Sequence, residues 1–131
     1  MRRGLTWLLG FLLGTNGLWM LLSPEHWYRT IPGVTGTGPA NLHFIRDIGC
    51  AYVVVGGSLF WLAFRQRQAW AAALAGGVFL TLHALVHLCD AVAGRESGHQ
   101  FIADVPPVVL PALLVMWLVW LAARDSKHDR L

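Results

Sequence analysis

The chain contains four long apolar stretches, each close to the ~20 residues that a helix needs to cross the hydrocarbon layer of a bilayer. They cover about residues 5–22, 44–64, 69–93 and 105–123, and their charged residues gather near the ends. Three prolines open the last stretch, where a helix tolerates them because its first N–H groups lack internal partners. The pattern predicts an all-α membrane protein, a four-transmembrane-helix bundle that forms one domain over residues 1–131.

Composition supports a bilayer as the main partner of this chain. Of its 131 residues 56% are hydrophobic and 13% are charged, whereas about 25% are charged in a soluble domain. The net charge of +3 comes from basic residues at the ends of apolar stretches, where such residues anchor and orient helices. We therefore expect no nucleic-acid partner.

The basic residues also predict an orientation. Cytoplasmic loops carry the excess of Lys and Arg, and seven of the ten fall on one side of the predicted bundle. These seven are Arg2, Arg3, Arg65, Arg67, Arg124, Lys127 and Arg130. The other three are Arg29, Arg46 and Arg95. We expect both termini in the cytoplasm, a retained first helix with no cleavage site after it, and, for a bacterium, an inner-membrane location.

Most titratable residues fall in the half of the bundle that should face outward. Five of six histidines lie there, namely His26, His43, His83, His87 and His99. Five of seven acidic residues lie there as well, namely Glu25, Asp47, Asp90, Glu96 and Asp104. Polar groups are costly in a membrane span and often mark function, so this half is the candidate site.

His83, His87 and Asp90 lie on one stripe of the third predicted span, because their offsets are four, three and seven residues. His43 and Asp47 show the same four-residue offset on the second span. These five residues predict a metal site in which Asp90 bonds an imidazole. Nitrogen and oxygen donors of this kind suit zinc, iron or copper, and histidines on two helices could hold a haem. The same groups could instead only hydrogen-bond across helices.

Three further residues are candidate cofactor-binding groups. Asn16 lies at a similar depth on the first span, and Tyr52 lies deeper than Asp47 on the second. Arg46 either binds an anionic group of a ligand or extends to lipid headgroups. Cys50 and Cys89 are the only cysteines and lack a CxxC spacing, so we interpret them as small apolar residues.

The outer loop, residues 23–43, is too long for a simple hairpin and contains Gly, Pro and aromatic residues. It is either a connector along the membrane interface or a lid over the polar groups. The glycine pairs Gly56-Gly57 and Gly76-Gly77 predict close contacts between helices.

The run from Gly38 to Gly49, GPANLHFIRDIG, resembles a pattern in small bacterial membrane proteins of unknown function. The four-span layout of the whole chain resembles the DoxX-like superfamily. Some of its members associate with quinone-linked oxidoreductases, so the resemblance implies a redox-linked role in a membrane complex.

Three functions remain open on this evidence. The first is a metal-binding or cofactor-binding accessory subunit, in a complex or as a homo-oligomer. The second is an enzyme acting on a lipid or isoprenoid, with His87 or Asp47 as acid or base and Arg46 binding an anionic group. The third is a structural or assembly subunit.

Overall fold

Six α-helices form the protein in the computed structural model, which describes residues 1–95 and 97–128. They are α1 (Arg2–Leu22), α2 (Pro24–Thr30), α3 (Leu42–Phe64), α4 (Gln66–Val92), α5 (Gly98–Asp104) and α6 (Leu110–His128). A 3₁₀ turn spans Val34–Thr37 and a π-helical turn spans Val105–Val109. The described part of the chain contains no strand. Two of the charged residues named above, Glu96 and Arg130, lie outside the described residues.

Among the described residues, four helical segments are long and apolar enough to cross a membrane, which confirms the prediction of an all-α fold with four such helices. They run over Arg2–Leu22, Leu42–Phe64, Gln68–Val92 and Gly98–Ser126. The main differences from the predicted bounds concern the last segment and the outer loop. The last segment begins at residue 98 instead of about 105, and the loop at 23–43 contains α2 and the 3₁₀ turn.

The early start of the last segment follows from a local change of helix type at its prolines. Pro106 and Pro107 have no N–H to donate, and a proline ring clashes with the carbonyl four residues earlier. A wider turn relieves this, and the Leu110 N–H donates to the Val105 carbonyl five residues before it. The helix therefore continues through the prolines, and α5 stands in line with α6.

Glycines bring the backbones of α1 and α3 into direct contact. A Cβ added at Gly17 would lie 2.7 Å from the Gly49 carbonyl oxygen, and one at Gly56 would lie 2.7 Å from the Gly14 Cα. This is the close approach that small residues permit between membrane helices. The prediction for the glycine pairs holds at Gly56, Gly76 and Gly77, while Gly57 faces open space.

Successive long helices run antiparallel, and we call the end at which α1 ends and α3 begins the polar end. At the opposite end, the Arg2 guanidinium contacts the Asp125 carboxylate at 3.2 Å, and Arg3 donates to the Ala63 carbonyl at 2.8 Å. The buried core between the two ends is apolar and includes Val55, Leu59, Leu62, Leu80 and Val115.

The outer loop is tied to the spans at the polar end. Trp27 of α2 donates its indole N–H to the Asn16 side-chain oxygen at 2.9 Å. The Tyr28 hydroxyl donates to the Gly38 carbonyl at 2.6 Å, which joins the two halves of the loop. The loop is therefore a structured cap across the polar end.

Candidate functional site

The two histidines of the predicted stripe lie together on α4. The ring centroids of His83 and His87 are 4.9 Å apart, and the ring planes stand at 78°. This edge-to-face contact follows from their four-residue spacing, which places both side chains on one face of the helix.

His87 forms a close contact with a carboxylate of the next helix. Its Nδ1 lies 2.8 Å from Oδ2 of Asp104, the last residue of α5. The two side chains are 26% and 12% exposed. The pair therefore joins two membrane-spanning segments from largely buried positions, where hydrogen bonds to charged groups are strongest.

Asp104 is held by a second contact within its own helix. The Gln100 side-chain amide donates to Oδ1 of Asp104 at 3.1 Å. The Ser97 hydroxyl in turn accepts the Gln100 backbone N–H at 3.1 Å and caps the start of α5. Both oxygens of the carboxylate are thus bonded, which fixes its orientation toward His87.

The outer loop reaches this contact through Gly33. A Cβ added at Gly33 would collide with the side-chain amide of Gln100, and the φ of Gly33 is +84°. Two features of this position favour glycine. The backbone is left-handed, and the Gln100 side chain occupies the space that a Cβ at position 33 would need.

Aromatic rings surround the inner end of the stripe. Tyr52 of α3 stands edge-on to Phe79 at 5.6 Å and to His83 at 6.1 Å between centroids. Phe79 stacks on His83 at 6.1 Å with 11° between the planes. We call the group of Tyr52, His83, His87, Gln100 and Asp104 the polar layer.

The other predicted metal ligands lie in separate places. His43 and Asp47 contact each other at 3.5 Å, with side chains 88% and 59% exposed. Asp90 accepts a hydrogen bond from Arg95 at 2.9 Å. The partner that the structure gives Asp90 thus differs from the predicted imidazole. The carboxylate seated against His87 is Asp104, and the side chain of Asp90 is bonded to an arginine instead.

The predicted cofactor-binding residues are likewise dispersed. Asn16 binds Trp27 and also contacts the Met20 sulfur at 3.7 Å. Arg46 is exposed. Of the three, Tyr52 alone belongs to the polar layer. Over residues 1–95 and 97–128, no three His, Cys, Asp or Glu side chains are grouped closely enough to hold a metal ion.

Asp104 was counted among the outer acids from sequence, but it was not selected as a site residue. A span predicted to begin at about residue 105 leaves Asp104 just outside the helices. One signal could have identified α5, because Ser97 and Gln100 have the spacing of a capping box. A helix starting there carries Gln100 and Asp104 on one face.

An apolar groove of about 200 Å³ lies between α4, α5 and α6. Its lining includes Ala84, Leu88, Phe101 and Leu113. Ala84 is one turn before His87 and Phe101 is one turn before Asp104 on their helices. Leu88 and Leu113 are exposed, so the groove opens on the surface that faces lipid in a spanning bundle.

The chain matches no protein-family model, no curated protein and no solved structure. The function must therefore be argued from the polar layer and its surroundings.

Proposed function

We propose that this protein binds a membrane-borne ligand with a hydrogen-bonding head group at the polar layer. We further propose that it resides in a bacterial inner membrane with both termini cytoplasmic, so that the polar layer lies near the periplasmic face. Seven of its ten Lys and Arg residues on one side support this orientation.

The observation that carries the proposal is the His87–Asp104 pair. It joins two apolar segments across 2.8 Å, in a part of the fold where ionisable groups are rare and usually functional. A carboxylate bonded to one nitrogen of an imidazole orients the ring, which is the arrangement used to position a proton-exchanging histidine.

The surroundings of the pair favour a ligand that arrives from the lipid. The surface of α4 exposes Leu85 and Leu88, and the groove between α4, α5 and α6 is lined by Ala84 and Phe101, each one turn before a member of the pair. An apolar tail can lie on the lipid-facing surface of these helices while the head group reaches the polar layer. Such binding would also allow acid–base chemistry on a lipid or isoprenoid. In that reaction His87 exchanges a proton with the ligand, and Asp104 orients the imidazole of His87.

A metal or haem is the second candidate, and one observation favours it. The rings of His83 and His87 are 4.9 Å apart, close enough for two imidazoles to approach one ion. The remaining predicted donors, His43, Asp47 and Asp90, are engaged elsewhere. The described residues therefore fit a metal less well than they fit an organic ligand. The role of this protein as a redox-linked accessory subunit is supported only by the DoxX-like resemblance, and it stays a prediction.

The test is to identify what the protein retains. Protein purified in mild detergent is extracted with organic solvent, and mass spectrometry quantifies the molecules that co-purify. The variants are His87→Gln and Asp104→Asn, with His43→Gln and Asp47→Asn as controls from the exposed pair. We expect a near-stoichiometric molecule in wild type and both controls, and at least a tenfold loss in the two polar-layer variants.

Size-exclusion profiles and thermal unfolding of every variant separate loss of ligand from loss of fold. Equal retention in all folded variants contradicts the proposal, as does the absence of any retained molecule in wild type. Elemental analysis and absorbance spectra of the same samples decide the second candidate. Stoichiometric metal or a haem band that disappears in His87→Gln would establish it instead.

A further inference from the structure

Tyr52 carries a buried polar group that the fold itself does not satisfy. The residue is only 7% exposed, and its ring packs on Phe79 and His83. Within the described part of the chain, its hydroxyl has no hydrogen-bond partner. A hydroxyl buried without a partner is costly, and buried polar groups are nearly always bonded.

His83 presents a second polar group of the same kind. The contacts recorded for its ring are with Tyr52, Phe79 and His87, and each is an aromatic contact. A neutral imidazole carries one donor and one acceptor. Facing helices thus place a phenol and an imidazole side by side at the inner end of the polar layer.

The charged groups around Tyr52 and His83 disfavour an anionic head group. The one carboxylate of the polar layer, Asp104, already contacts His87. Two of the cations at the polar end are paired, Arg29 with Glu25 and Arg95 with Asp90. Arg46, the third, is exposed. A phosphate or carboxylate brought to Tyr52 would be desolvated without a counter-charge, which is strongly unfavourable.

We infer that Tyr52 and His83 bind the head group of the ligand, and that this head group is uncharged and carries a carbonyl or hydroxyl oxygen. The Tyr52 hydroxyl and an N–H of His83 both donate to that oxygen. The inference rests on the proposed function and specifies its ligand class. A water molecule offers the same oxygen chemistry, so the experiment must separate the two sources.

The chain has only two tyrosines, which makes fluorine NMR of protein labelled with 3-fluorotyrosine well suited. Tyr28, bonded to Gly38, serves as an internal reference, and Tyr28→Phe assigns the two signals. Three probes of equal chain length are titrated in nanodiscs, namely 2-tridecanone, tridecane and tridecanoate. We expect only the ketone to shift the Tyr52 signal in a saturable manner, with the Tyr28 signal unchanged.

A His83→Phe variant should weaken ketone binding at least tenfold, whereas His43→Phe, on the exposed pair, should leave it unchanged. An intact Tyr28 signal confirms that each variant is folded. A Tyr52 signal that responds to none of the three probes is the result expected when only water reaches the hydroxyl, and it overturns the inference. A response to tridecane or tridecanoate as large as that to the ketone also overturns it.

The two proposals can fail separately. A co-purified molecule that depends on His87, together with a Tyr52 signal that ignores the ketone, leaves the proposed function standing and refutes the neutral head group. Saturable ketone binding without any co-purified molecule refutes stable retention of a ligand through His87 and Asp104, and it supports the chemistry of the Tyr52–His83 site.

Discussion

The part of the chain that the structure describes contains two His–Asp pairs at the same end of the bundle, and they differ in nearly every physical respect. His43 and Asp47 lie one turn apart on α3, 3.5 Å from each other and largely exposed. His87 and Asp104 come from different helices, lie at 2.8 Å and are largely buried. The exposed pair forms because its two residues lie four positions apart on one helix, whereas the buried pair depends on how α4 and α5 pack. Identical residue types therefore give a surface contact in one case and a candidate site in the other.

The largest expected difference is in stability. Replacing Asp104 by Ala removes the carboxylate that contacts both His87 and Gln100, so the free energy of unfolding should fall by about 1–3 kcal/mol. Asp47→Ala removes an exposed contact within one helix and should cost about 0.5 kcal/mol or less. Reversible unfolding in mixed detergent micelles measures both. Similar losses in the two variants would mean that burial does not distinguish the pairs.

The second prediction tests whether the outer loop supports the buried pair. Gly33→Ala introduces both backbone strain and a collision with Gln100, while Gly94→Ala introduces strain alone at a similar φ of +69° with open space around it. The Gly33 variant should therefore be less stable than the Gly94 variant by about 1 kcal/mol. Thermal unfolding of both variants under one set of conditions gives the comparison.

Gln100→Ala provides the control for this mechanism, because it removes the side chain that an alanine at position 33 would strike. In the double variant, the extra cost of Gly33→Ala over Gly94→Ala should disappear. If that extra cost persists in the double variant, the destabilisation by Gly33→Ala does not come from its collision with Gln100.

The smallest expected effect concerns the exposed pair itself. A double-mutant cycle on His43 and Asp47 should give a coupling of about 0.3–0.5 kcal/mol at low salt and pH 5, as for exposed pairs one turn apart on a helix. Salt should remove most of it, because exposed charges are screened. The cycle on His87 and Asp104 should change little between low and high salt. Equal salt dependence in both cycles would show that solvent reaches the two pairs alike.

The architecture was largely predictable because its determinants are local. Each apolar stretch is long enough to span, and the gathering of His and acidic residues at one end follows from their positions along those stretches. The adjacency of His83 and His87 was also predictable, since four residues bring two side chains together on any α-helix.

The partners of these residues were harder to predict. Asp90 lies three residues from His87 and was the expected partner, yet its carboxylate bonds Arg95, and Asp104 contacts the imidazole. Three prolines suggested that a helix starts at residue 105, although the wide turn there carries α5 into the bundle. Gly33 and Gln100 are 67 positions apart in the chain, and nothing in the local sequence of either one indicates their contact.

The sequence by itself determined the number of apolar helices, the end of the bundle that is polar and the helical face that carries the histidine stripe. These follow from residue hydropathy and the helical period, which act over a few neighbouring residues. Only the tertiary structure decided which carboxylate meets which imidazole and that Tyr52 lies beside His83. Such contacts depend on the distance between helix backbones and on the geometry of a single turn, and both are set by packing between segments remote in sequence.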